Sequence, residues 1–168
     1  MNDFFGKNRF RIKDAAKHAV ELMRNKIAGR KSIVLFSDGI VQSEERPTAD
    51  LLNAEAQDTT VHTIRLDYPI DRRATGESRE YLRALVEKAD EFMRELAAKS
   101  GGRSYQISRD DSIEKIFVEM ADELENQYYL GYYPKQAERK SQIRRVKVET
   151  RQPNLTVRAR DYYVSNAP

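Results

Sequence analysis

The 168-residue chain has no cysteine and no tryptophan, only two histidines (His18 and His62), and no long apolar run. Each absence removes a class. Without cysteine there is neither a disulfide framework nor a thiolate zinc site, and two histidines do not make a histidine-rich metal centre. No stretch approaches the roughly 18 apolar residues that span a bilayer, and Met1-Asn2-Asp3-Phe4-Phe5-Gly6 lacks the basic-then-apolar order of a signal peptide. What is present is a charged chain, 34% Asp, Glu, Lys and Arg, with 39% hydrophobic residues, enough to enclose one core.

The net charge of +3 hides an asymmetry. Residues 135–168 hold nine Lys or Arg against Glu138, Glu149 and Asp161, a surplus of six, so the rest of the chain carries a deficit of three. A mildly acidic body precedes a basic tail, a matter of association more than of fold.

Apolar periodicity divides the body. Ile12, Ala16, Ala19, Val20, Met23 and Ile27 recur every three or four residues and predict a helix that Gly29 stops. Ser32-Ile33-Val34-Leu35-Phe36 is a short branched apolar run, read as a strand covered on both faces and ending in Ser37-Asp38-Gly39. Pro47 and Thr48 open a modest helix through Leu51, Leu52 and Ala56, proline being tolerated in a first turn. Thr60 to Leu66 reads as a second strand. The stripe from Tyr81 through Leu85, Ala89, Phe92 and Leu96 predicts a long helix over 77–99, ended by Gly101-Gly102. Arg103 to Ser108 is a third strand, and Asp111 with Glu114 suggests a capping box before a helix striped by Ile113, Ile116, Met120 and Leu124.

Strands alternating with helices call for a parallel sheet, because parallel neighbours need long crossovers. The expected class is therefore α/β, with a body over 1–126. In 127–168 helical periodicity stops. Tyr128 to Tyr133, Arg144 to Arg151 and Leu155 to Val164 are three β-rich runs, separated by Pro134 to Gln142 and the Pro153-Asn154 turn. Val146 and Val148 alternate with Arg145, Lys147 and Glu149, so one face is buried and one wet. The tail reads as an antiparallel β extension, either of the same sheet or as a small ribbon folded onto it.

Ligands of open parallel sheets sit beyond the carboxyl ends of the strands, where Ser37-Asp38-Gly39 falls. A carboxylate there suits a hard cation such as Mg²⁺; equally, Asp38 serves as the cap of a strand-ending turn. Taken together, Gly29 to Gly39, Ser100-Gly101-Gly102-Arg103, Gln127 to Pro134, Arg144 to Val148 and Val157 to Tyr163 resemble, in order, the bacterial proteins related to von Willebrand factor type A domains, from about Lys13 onward.

That resemblance implies a Rossmann-like sheet with a metal-ion-dependent adhesion site. Its cation is held by an Asp-x-Ser-x-Ser loop after the first strand, a threonine from a second loop and an aspartate from a third. Asp38 matches that last aspartate, with Ser37 beside it. No Asp-x-Ser-x-Ser occurs in the chain and no threonine precedes Thr48, which places the family's first strand ahead of Met1. Mg²⁺ or another divalent cation belongs to the intact family domain. For this chain no cofactor is expected, because Mg²⁺ dehydrates reluctantly and Asp38 with Ser37 offers too few oxygens.

The function implied is non-enzymatic: protein–protein contact of the adhesion type, centred on Asp38 and Gly39. A sheet lacking neighbours beside Ser32 to Phe36 would also self-associate or dock an N-terminal segment through that edge. Two alternatives stand. Tyr128, Tyr129, Tyr132 and Tyr133 beside nine basic residues have the composition of a single-strand nucleic-acid surface, though the same residues fit a sheet-to-helix seam and a wet ribbon face. A metal-assisted hydrolase using Asp38 lacks a second acid. His18 and His62 read as structural, with no nucleophile elbow in the chain to serve. Ser100-Gly101-Gly102-Arg103 ends a helix where a phosphate loop would open one.

Overall fold

The computed structural model describes residues 12–26, 29, 31–40, 59–67, 75–108, 111–128, 130–133 and 142–165. The helix read from Pro47 to Ala56 lies outside them. Eight elements follow in chain order: α1 (Ile12–Lys26), β1 (Lys31–Ser37), β2 (Thr59–Leu66), α2 (Glu77–Ser100), β3 (Ser104–Ile107), α3 (Ile113–Glu125), β4 (Gln142–Arg145) and β5 (Tyr162–Ser165). Strands β1, β2 and β3 lie side by side in that order and run parallel, while β4 and β5 pair antiparallel in a separate sheet. The class is α/β, and the tail takes the form of a ribbon.

Strand alternation sorts the sheet's residues onto two faces, both covered at β2. Ile33 is in register with Val61, and both join Ile12, Ala16 and Val20 of α1 and Phe92, Met93 and Leu96 of α2 in one cluster. On the other face Ile64 lies beside Tyr105, and these with Ile107 meet Met120 of α3, flanked by Ile113, Ile116 and Leu124. Helices α1 and α2 therefore share one face and α3 takes the other. The α3 cluster contains no β1 residue. Val34 and Phe36, in register with His62 and Ile64 on that face, stay 41% and 48% exposed.

Helix α2 ends in a Schellman arrangement. Gly102 N–H donates to Ala97 O (2.9 Å) and Gly101 N–H to Ala98 O (3.0 Å), with Gly101 left-handed at φ 80°. The helix is longer than its support. Ala89 to Ser100 carry its buried residues, whereas Tyr81, expected on the core stripe, is exposed, because the first turns run past the described core.

Three local expectations are corrected. The cap of α3 is Ser112, not Asp111; the Asp111 carboxylate turns back to accept from Ser108 N–H (2.8 Å) and Oγ–H (2.7 Å). Those bonds hold its carboxyl below the usual range. The described residues of Tyr128 to Tyr133 form no strand. Among the described residues the later runs pair as β4 with β5, extended by Val146 N–H to Asp161 O at 2.8 Å, and not as three full strands. Residues 155–160 are engaged with the body instead: Arg158 reaches Glu123, and Arg160 donates to Thr59 O (3.1 Å).

Candidate functional site

The carboxyl ends of β1, β2 and β3 form one rim. Beyond β1, Asp38 Oδ1 accepts from Ile40 N–H (3.1 Å), and Ser37 Oγ accepts from Gly39 N–H (3.2 Å) and donates weakly to Asp38 (3.4 Å). These are turn-closing bonds two residues long, of the kind short polar side chains make at strand ends. Gly39 is buried, at φ 74°. A Cβ there would lie 2.8 Å from Met93 Cγ and 3.0 Å from Ala89 O, so only glycine lets this loop curl onto α2. Ser37 and Asp38 are half-buried. At this point of the surface the acidic group is Asp38, with Gly39 supplying the backbone bend.

Next along the rim is a group the sequence reading missed. Arg65, at the end of β2, is only 4% exposed. Its Nε donates to Asp90 Oδ1 of α2 (3.2 Å) and its Nη2 to Asp67 Oδ1 (3.1 Å). Asp90 also pairs with Arg94 (2.9 Å), and Asp67 accepts from Gln106 Nε2 of β3 (2.6 Å). A guanidinium thus lies between two carboxylates where a cation would otherwise be needed, and its planar fork suits that position. The signal was available: an arginine in a central strand is buried on both faces and must bring partners.

Among the described residues no three of Asp, Glu, His or Cys gather as metal ligands. Among the described residues no second acid stands beside Asp38, and the carboxylates of Asp67 and Asp90 are held by Arg65 and Gln106.

A second polar cluster sits at the opposite end of β2. His62 is fully buried; its Nδ1 accepts from Arg103 N–H (3.3 Å), and Nε2 has no hydrogen-bond partner. Burial lowers its pKa, opposed by Glu123 and reinforced by Arg158. Glu123 is the hub: it receives Arg158 Nε (3.1 Å), pairs with Arg103 (3.9 Å) and accepts from Tyr105 Oη–H (3.5 Å). Arg103 also lies 4.6 Å over the Tyr105 ring. Among the described residues no serine or acid bonds to His62, and the ion pair of Arg158 with Glu123 joins the tail segment to α3. His18, by contrast, is exposed on α1.

No family model, no curated protein and no solved structure matches the chain. In the tail, Tyr128, Tyr132 and Tyr133 are exposed, Tyr133 completely, and do not fill a seam. Tyr132 Oη–H donates to Tyr163 Oη (2.9 Å) with the rings edge to face at 6.0 Å.

Proposed function

We propose that the chain is a non-enzymatic protein-interaction module, a partial Rossmann-like domain of the von Willebrand factor A type with an incomplete metal-ion-dependent adhesion site. The observation that supports this reading is Asp38: an acidic side chain at the rim of a parallel sheet, closed on its own turn, with no second ligand group gathered to it among the described residues. Such a rim offers contact and not chemistry. Partners engage the loop after β1 with its neighbours at Asp67 and Gln106, by shape and polar contact, not through a shared cation.

The test has two parts. Calorimetric titration of the full chain with Mg²⁺ is expected to show no saturable binding in the micromolar range; tight binding lost in Asp38→Ala overturns the incomplete-site reading. A photo-crosslinking residue at position 38, in the cells that make the protein, is expected to capture one protein that the same residue at Glu87, exposed on α2, does not. Mg²⁺-dependent ester or phosphoester hydrolysis that disappears with Asp38 would support the hydrolase reading and sink this one.

The exposed tyrosines support a second reading, binding of single-stranded nucleic acid, since stacking requires open aromatic faces within reach of cations, and the charge of Arg144 acts on Tyr132. Its signature is steep loss of oligonucleotide affinity with salt; a flat response between 50 and about 200 mM salt excludes it.

A further inference from the structure

We infer that β1 is a self-complementary edge and that two copies of the chain join there, antiparallel, into one continuous six-stranded sheet. Among the described residues β1 has a single neighbour, β2, so half of its peptide groups point away from any described partner. Edges are ordinarily blunted by charge, proline or bulges, yet Ser32 to Phe36 contain none of these. Exposed apolar side chains flank the edge on its α3 side, Val34 and Phe36 of β1 itself, while α1 packs over β1 on the other face.

The sequence of the strand says what covers it. Antiparallel pairing about Leu35 sets Val34 of each copy opposite Phe36 of the other, twice, on the exposed face. Ser32 then stands across from Asp38, and Ile33 across from Ser37. An aromatic side chain opposite a β-branched one is among the favourable cross-strand pairs, and the arrangement closes by a two-fold axis without leaving a free copy of the patch. Pairing about Val34 would instead set Phe36 against Ser32. The patch is small against the roughly 800 Å² per partner of a standard interface, so the dimer is a reversible one, populated in the micromolar range or above. This inference is independent of what the rim binds.

Sedimentation velocity of the full chain over a range of concentrations is expected to show monomer and dimer in exchange. Val34→Lys with Phe36→Lys, both at exposed positions, is expected to leave only monomer with an unchanged circular dichroism spectrum. Because the chain has no cysteine, single cysteines report the register. Leu35→Cys, at the two-fold axis, is expected to cross-link on oxidation, and Lys31→Cys, whose two copies stand roughly 26 Å apart, to stay monomeric. A chain monomeric at every concentration overturns the inference. So does association that survives the lysine pair, or cross-linking that favours Val34→Cys or Lys31→Cys over Leu35→Cys.

Discussion

Adding one methyl group at position 102 tests how tightly β2 is held against the end of α2. A Cβ at Gly102 would lie 2.1 Å from Val61 O and 2.7 Å from Val61 C, both main-chain atoms. Carbon and carbonyl oxygen normally approach no closer than about 3.3 Å, so the α2–β3 connection has to retreat by about 1 Å. Three bonds oppose that. Val61 N–H donates to Ser100 Oγ (2.8 Å), Thr63 N–H to Arg103 O (3.0 Å), and Arg103 N–H to His62 Nδ1 (3.3 Å). Overpacking costs about 1–3 kcal/mol where side chains can yield, and here the obstacle is backbone. Stretching these three bonds, worth about 1 kcal/mol each, brings the expected loss for Gly102→Ala to at least ~3 kcal/mol. For a chain of this size that is a melting temperature lower by about 6–12 °C. Gly131→Ala is the control: nothing lies within 4 Å and its φ is not positive, so a methyl group there meets neither a neighbour nor a forbidden backbone. Urea unfolding of both variants decides the matter. A Gly102→Ala variant no less stable than Gly131→Ala would refute the claim that this close approach fixes β2.

Four further outcomes are expected. Arg65→Ala should cost about 2 kcal/mol in urea unfolding, short of a fully buried pair because Asp67 and Asp90 keep some water, and Arg65→Lys should not restore it, since an ammonium cannot bridge both carboxylates. His62 has a lowered pKa, so the unfolded chain binds a proton that the folded one refuses; stability should fall as pH drops below about 6.5, a slope that His62→Leu removes. Asp38→Asn should retain the turn bond to Ile40 and change stability by less than about 0.5 kcal/mol, whereas Asp38→Ala should cost about 1 kcal/mol in the same assay. Arg158→Ala should cost under about 1 kcal/mol, its ion pair with Glu123 being solvent-screened, yet raise amide exchange across residues 155–160.

The parts of the fold that could be read in advance were those where one local pattern met no competitor. Ser32 to Phe36 is too short and too branched for a helix, and it is β1; the stripe ending at Gly101-Gly102 is α2, stopped where φ has to turn positive. The reading failed where long-range contacts decide. Tyr81 fits the helical stripe, but periodicity does not reveal that the sheet beneath gives out before the helix does. Leu155 to Ala159 alternate as a strand should, yet their neighbours Arg158 and Arg160 find Glu123 and Thr59 O, and the backbone follows them away from the ribbon. Asp111 does not cap α3 because Ser108 offers its carboxylate two donors, and Ser112, at the N-cap position, bonds Glu114 in place of a helix N–H. At the rim, Asp38 could be placed from its strand alone, whereas the Arg65 group could not, since its partners come from α2 and from beyond β2.

The seating of the tail on Gly101 has a bearing on how the molecule is made. A Cβ at Gly101 would stand 2.9 Å from Arg160 N, and Arg160 bonds to Thr59 O, so the amino end of β2 is closed by residues a hundred positions later. During synthesis that clasp cannot shut until residue 160 has emerged from the ribosome. Until then the nascent chain exposes the junction of β2 and α2, a window in which a chaperone or a sister chain has access to surfaces the finished protein conceals.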